Sequence, residues 1–233
     1  MISTKRVFRN KLDEDGQIVR NKVILVCKGY AQVEGIDFEE TFTPSAWLEA
    51  IRMFLEFECF KNFEVCQMDV KLTFLNGNLE EVYIEKPEGF QLLENKDHLW
   101  RLKKALYGLK KALRAWYSRL NKYLQQEDFK RGVADNNFYI KIGNENLLMI
   151  VVYVDNIIFG CNDDRMSQRF AKEMQKEFEM SMLGELSFFL GLQISQSNKG
   201  IFISQTKYVK EMLNKFGMED CALVNTPMII GLK

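Results

Sequence analysis

The stretch that decides the fold is Leu147 to Cys161, LLMIVVYVDNIIFGC. Two apolar runs rich in β-branched residues meet at Asp155-Asn156, and branched side chains pack well on a pleated surface. A short polar break between two such runs predicts a β-hairpin with a tight turn. That hairpin presents a carboxylate at its tip on a buried, rigid support. A second isolated acid of the same kind stands upstream, Asp69 in Val65-Cys66-Gln67-Met68-Asp69-Val70. If the two strands are neighbours, Asp69 and Asp155 lie side by side at one sheet edge. Paired carboxylates need a cation to offset their repulsion, and hard oxygen ligands suit Mg²⁺. Two such ions about 3.5–4 Å apart form the clamp used for phosphoryl transfer. A core hairpin with a surface turn is the plainer alternative.

Outward from this hairpin, helices and strands mix without regular βαβ alternation, which predicts an α+β fold with a largely antiparallel sheet. Arg6–Leu12 and Gln17–Lys28 flank the turn cluster Asp13-Glu14-Asp15-Gly16 and read as a hairpin. Ser45 is placed to cap a helix with Trp47, Leu48, Ile51, Phe54, Leu55 and Cys59 as its stripe. Glu64–Val70 reads as a strand followed by a helical turn ending at Asn76-Gly77, and Val82–Glu85 as another strand. Helices are predicted at 112–126 and 163–178, the latter with Met166, Phe170, Met174 and Phe178 spaced by four. A strand pair at 138–142 and 147–154, a hairpin at 186–204 and a helix capped by Thr206 complete the chain.

At 233 residues and 47% hydrophobic content there is enough sequence for a sizeable core. Lysine plus arginine equals aspartate plus glutamate, 32 each, so net charge selects no partner. Locally it does: Arg101, Lys103, Lys104, Lys110, Lys111, Arg114, Arg119 and Lys122 occur from 101 to 126 with no acid among them. Tyr107, Trp116 and Tyr117 are interleaved, the mix a nucleic-acid groove uses for phosphates and bases. A solvated helix face with Trp116 in the core is the alternative. Cys27, Cys59, Cys66, Cys161 and Cys221 show no metal-like spacing; the first four sit in apolar runs, and the reading is reduced, buried thiols of an intracellular protein. No run approaches the ~20 apolar residues of a membrane span, and the first ten residues hold no apolar signal core.

Longer strings resemble one family. KGYAQVEGIDFEETFTP (Lys28 to Pro44), LEAIR (Leu48 to Arg52), QMDVK (Gln67 to Lys71) with FLNG (Phe74 to Gly77), LKKALYGLK (Leu102 to Lys110) with RAWY (Arg114 to Tyr117), YVDNIIFG (Tyr153 to Gly160) and GELSFFLGLQI (Gly184 to Ile194) are similar to the reverse transcriptase domain of copia-type long-terminal-repeat retrotransposon polyproteins, most like plant copies. Their order leaves no room for an unrelated RNA-binding module. The resemblance implies a right-hand polymerase, with fingers at 1–63 and 84–110, palm at 64–83 and 111–205, and the start of a thumb at 206–233. It implies catalytic and metal-binding roles for Asp69 and Asp155, with the Val70 carbonyl on a metal, two Mg²⁺ ions, RNA or DNA template-primer and deoxynucleotide partners, and a place in the cytoplasm or a virus-like particle. Phe74 matches the steric gate against a ribose 2′-hydroxyl, Lys22 and Lys28 approach the triphosphate or template, and Phe189-Leu190-Gly191 resembles the primer grip.

The departures from the family fall on the chemistry. Asn156 stands where the family turn has a second aspartate, offering one neutral oxygen for a charged pair. Ile24 replaces an arginine on the triphosphate, Lys111 a glutamine against the incoming sugar, and Leu113 a proline. Trp47 stands for an arginine and Glu56 for a small residue. The expectation is an impaired enzyme, with a silent remnant that keeps the fold and nucleic-acid binding as the alternative. The sequence reads as a truncated copy without protease, integrase or RNase H.

Overall fold

The computed structural model describes residues 2–12, 17–41, 47–90, 98–143 and 146–222. Two units separate, residues 1–184 and 185–233.

The first unit is built on a six-stranded sheet whose order is β10-β3-β9-β8-β7-β6. Its strands are β3 (Glu64–Val70), β6 (Lys130–Arg131), β7 (Phe138–Ile142), β8 (Leu147–Tyr153), β9 (Asn156–Cys161) and β10 (Met180–Glu185). From β3 through β9, β8 and β7 to β6 every pairing is antiparallel. Side chains alternate between the two faces of a strand. One face carries Cys66, Met68, Val70, Leu148, Ile150, Val152, Ile157, Phe159 and Cys161 in one buried cluster. Two helices cover it, α2 (Ala112–Gln126) through Trp116, Leu120 and Leu124, and α3 (Asp164–Glu177) through Phe170, Ala171 and Met174. Each such side chain contributes about 1.5–3 kcal/mol by leaving water, which makes this the main core. The opposite face carries Val65, Gln67 and Asp69 on β3 and Asn156, Ile158 and Gly160 on β9. Helix α1 (Leu48–Lys61) covers part of it with Ile51, Phe54, Leu55 and Glu58.

A hairpin of β1 (Thr4–Leu12) and β2 (Ile18–Cys27) and a second pair, β4 (Asn78–Ile84) with β5 (Trp100–Lys104), make up the rest. A smaller core of Ile2, Cys27, Val82, Ile84, Ala105, Leu109 and Ala112 joins them. The chain crosses itself closely here. A Cβ on Gly108, at φ +88°, would lie 2.1 Å from the Cys27 carbonyl oxygen, so only glycine fits. The Cys27 N–H donates to the Tyr107 carbonyl at 2.7 Å across this crossing.

The second unit holds β11 (Phe188–Phe189), β12 (Leu192–Ser197), β13 (Gly200–Ser204) and α4 (Thr206–Lys215). Leu190 and Gly191 form the two-residue β11–β12 loop, both at positive φ, the signature of a type I′ turn.

Several expectations change. Asp13–Gly16 and Ser45 lie outside the described residues. Trp47 takes the cap position of α1 with no side-chain bond and is exposed; the stripe is Ile51, Phe54 and Leu55, with a charged residue, Glu58, wholly buried beside them. Thr206 does not cap α4; Gln205 does so positionally, and the Gln193 side chain accepts the Lys207 N–H at 2.7 Å. β4 begins earlier than its apolar run, because its first half is exposed and polar. Strands β5, β6 and β10 escaped the sequence reading, since β5 is a basic, exposed segment with no alternation. Cys27, Cys66 and Cys161 are buried, Cys59 is partly so and Cys221 is exposed.

Candidate active site

The two aspartates converge because β3 and β9 are direct neighbours. In their register Asp69 stands opposite Asn156, and Asn156 also pairs with Tyr153 across the β8–β9 hairpin. The hairpin loop is therefore Val154-Asp155, one residue earlier than the polar pair suggested, and Asn156 is the first residue of β9. Val154 has φ +56°, whereas Asp155 does not have positive φ, the sign pattern of a type II′ turn. A β-branched residue there is a strained outlier. Both loop carbonyls are tied down. The Trp116 indole donates to Val154 O at 2.7 Å, and the Val70 N–H donates to Asp155 O at 2.8 Å. Trp116, fully buried on α2, thus anchors the turn from the core side.

The side chains form a chain of their own. Gln67 Nε2 donates to Asn156 Oδ1 at 2.8 Å, and Asn156 Nδ2 donates to Asp155 Oδ1 at 3.1 Å. Burial, then the neighbouring Asp155 charge, raises the Asp69 carboxyl above its ordinary range, and Lys11 and Lys22 oppose the rise. The Tyr107 phenol is likewise pushed up, by burial first and then by Asp155 and Asp69. Tyr107 packs edge-on against Phe74 with ring centroids 4.7 Å apart. Phe74 lies in the short 3₁₀ turn Thr73–Asn76 and touches both cores. The Val70 carbonyl already accepts the Thr73 hydroxyl at 2.9 Å.

Lys22 and Ile24 alternate onto one face of the β1–β2 ribbon. The register places Arg9 opposite Lys22 and Lys11 opposite Arg20, so four cations share that face. Like charges directly opposite one another destabilise a ribbon, and such a face calls for an anion. Arg9, Lys11, Arg20 and Gln67 were not singled out from the sequence, and Tyr107 was singled out only as an aromatic of the basic stretch. The period-two spacing of Arg9, Lys11, Arg20 and Lys22 was the signal that could have found the first three. Lys28 follows β2, where its N–H donates to Ser3 O.

The basic stretch does not form a single surface. Arg101, Lys103 and Lys104 are exposed on β5, and Lys110 is exposed before α2. Lys111, Arg114, Arg119 and Lys122 line a cleft of about 530 Å³ together with Glu39, Glu40 and Glu80, and none of the turn residues belong to it. Arg114 pairs with Glu40, and Arg119 with Glu177. Trp116 and Tyr117 are core residues, so they cannot stack on bases; of the interleaved aromatics only Tyr107 reaches the carboxylates. Phe189 is buried next to the Leu190-Gly191 turn of the second unit. Among the described residues no group of three or more His, Cys, Asp or Glu is arranged around a cation position, and no helix is long and apolar enough to cross a membrane.

Comparison with known proteins agrees with the resemblance. Residues 1–230 match the family described as reverse transcriptase (RNA-dependent DNA polymerase). The chain is 35% identical over its whole length to the Retrovirus-related Pol polyprotein from transposon TNT 1-94 of Nicotiana tabacum, and 33% identical to that from transposon RE2 of Arabidopsis thaliana. A putative transposon Ty5-1 protein of Saccharomyces cerevisiae matches 69% of the chain at 31% identity. The chain spans 18% of the tobacco polyprotein and 16% of the RE2 one. It belongs to the reverse transcriptase family, as the reverse transcriptase domain of a copia-type Pol polyprotein.

Proposed function

We propose that the domain is an RNA-directed DNA polymerase that joins deoxynucleotides to a primer 3′-hydroxyl, with lowered catalytic capacity. One observation carries this reading: Asp69 and Asp155 stand together at one sheet end, with Lys11 and Lys22 close enough to oppose the rise of Asp69. The available donors fit a hard cation, since Asp69, the second oxygen of Asp155 and the remaining lone pair of the Val70 carbonyl are all oxygen ligands. These residues would hold Mg²⁺, whose charge stabilises the attacking and leaving oxygens at phosphorus. The layout we assign is fingers at 1–63 and 84–110, palm at 64–83 and 111–205, and thumb from 206.

The other roles follow from the packing. Arg9, Lys11, Arg20 and Lys22 offset the charge of a triphosphate or template backbone, with Lys28 at the end of the same strand. Phe74 is held between two cores and against Tyr107, so it cannot swing aside for a ribose 2′-hydroxyl; it is the steric gate. Phe189-Leu190-Gly191 supplies a preformed turn for the primer. Arg101, Lys103, Lys104, Lys110, Arg114, Arg119 and Lys122 contribute phosphate contacts, Arg114 and Arg119 being engaged by Glu40 and Glu177. Ile24 offers no donor, Lys111 faces a cleft of mixed charge, and Asn156 brings no charge. Losing one preorganised donor slows a reaction on the order of a hundredfold or more.

Primer extension with template-primer in Mg²⁺ and in Mn²⁺ tests the reading. Slow synthesis that disappears in Asp69→Asn is expected. Asn156→Asp should raise the rate without reaching that of an intact enzyme, because Ile24 and Lys111 remain. No synthesis by either protein, with template-primer still bound in a salt-sensitive way, would establish the non-catalytic reading that the Asn156–Asp155 hydrogen bond favours.

A further inference from the structure

The orientation of the amide at Asn156 is dictated by its neighbour. An ionised Asp155 carboxylate can only accept hydrogen bonds, so Asn156 must turn its NH₂ toward it. Its carbonyl oxygen then faces away, onto Gln67, and Gln67 must present its own NH₂. Gln67 is buried, at 8% exposure. The three side chains therefore form a directional relay that ends on one oxygen of Asp155. The relay does without a cation what a cation would otherwise do, placing positive charge density against a carboxylate.

An aspartate at 156 would behave in the opposite way. Gln67 could still donate to one of its oxygens, but the other would face Asp155 across the same gap. Two carboxylates at hydrogen-bond distance repel and call for a cation between them.

We infer that Gln67 is a positioning residue that locks Asn156 as an internal substitute for a bound cation, so that the carboxylate site is satisfied when empty and its divalent affinity is held down. This rests on the polymerase reading only in taking Asp69 and Asp155 as the cation site. The lock has a consequence that a merely structural glutamine lacks. Releasing it in the natural chain frees the Asn156 carbonyl oxygen to turn toward a cation, and affinity rises. With aspartate at 156 the same change removes a donor that orients a ligand, and affinity falls.

The test is a cycle of four proteins: the natural chain, Gln67→Met, Asn156→Asp and the double variant. Mn²⁺ binding is read by electron paramagnetic resonance, and the melting temperature is read with and without Mg²⁺. Expected are weak Mn²⁺ binding and a metal-independent melting temperature for the natural chain. Asn156→Asp should bind roughly tenfold more tightly, the scale of an outer-shell change at a metal, and should melt lower when metal-free and recover with Mg²⁺. Gln67→Met should tighten Mn²⁺ binding severalfold in the natural chain and loosen it in the Asn156→Asp background. A Gln67 effect of the same sign in both backgrounds overturns the lock while leaving the carboxylate site standing. Mn²⁺ binding by Asn156→Asp that survives Asp69→Asn overturns the site itself.

Discussion

Two groups of polar side chains lie against one face of the central sheet and fare in opposite ways. At one end Gln67, Asn156 and Asp155 pass hydrogen bonds along a line. At the other, under α1, Glu58 is fully buried and neither carboxyl oxygen has a partner. Glu58 lies against Gly160, where a Cβ would stand 2.3–2.5 Å from the carboxyl atoms. Both sites are within one strand of each other, on β9. The difference is that the first has donors at the right register and the second has none within hydrogen-bond reach. A buried polar group is cheap when its partners are fixed and expensive when it has none.

The largest expected effect breaks the expensive end. Burial pushes the Glu58 carboxyl up to about 8 from an ordinary value near 4.5. Below pH 4.5 the group is neutral folded and unfolded, and nothing is lost. Between 4.5 and 8 the unfolded chain ionises while the folded one stays protonated, so stability falls as pH rises, by about 1.4 kcal/mol per pH unit. Above 8 both states are charged and the slope ends. The accumulated loss is on the order of 5 kcal/mol. Glu58→Gln should flatten this slope in urea melts taken from pH 5 to 9, with variant and natural chain nearly equal at the acid end. A parallel fall in both proteins would show that Glu58 is not the group responsible.

Next in size is the neighbour that makes room for it. Gly160→Ala drives a methyl group into the Glu58 carboxyl, an overpacking that typically costs about 1–3 kcal/mol. Glu58→Ala in the same chain should recover most of that loss. Additive losses in the double variant would mean that the two residues do not meet.

At the satisfied end, Trp116→Phe keeps a ring in the core but leaves the Val154 carbonyl without its donor. A fully buried acceptor deprived of its partner costs about 1–3 kcal/mol, and this partly buried one should fall at the lower end of that range. Mn²⁺ binding should shift toward that of the released Gln67→Met protein as stability falls, because the turn that aims Asp155 at Asn156 loses its anchor. A stability loss with binding unchanged would separate the turn from the cation site.

These two ends were not equally readable. The strand at Glu64–Val70 and the helix at Ala112–Gln126 fall where their apolar residues put them, because the strand is a nearly unbroken buried run and the helix has one buried face; Phe138–Ile142 also falls where expected, though only Tyr139 of it is fully buried. Asp69 and Asp155 stood out as lone acids closing apolar runs. Gln67 did not, since a glutamine in an apolar run looks the same whether it faces an asparagine or the solvent; only the β3–β9 register gives it a partner. Glu58 was hidden for a related reason. A carboxylate in a helix reads as a solvated side chain, and nothing local says that Gly160 will arrive opposite it from a hundred residues away. The turn was placed one residue late because Asp-Asn is better turn chemistry than Val-Asp, and tertiary bonds from Trp116 and Val70 outweighed that preference.

The strained Val154 gives the smallest effect and the sharpest one. A positive φ at a branched residue costs about 1–3 kcal/mol, and glycine removes that strain while giving back roughly 0.5–1 kcal/mol of chain entropy. Val154→Gly should therefore raise stability by about 1 kcal/mol in denaturant melts. The hydrogen bonds to Val154 O and Asp155 O involve backbone and survive the change. What is lost is rigidity: without its side chain the loop can leave the conformation that aims Asp155 at Asn156. Mn²⁺ binding should then shift toward that of the released Gln67→Met protein even as the melt moves up. A higher melt with Mn²⁺ binding unchanged would instead mean that the turn owes its shape to the relay, and that the strain is a consequence of the site rather than part of what holds it.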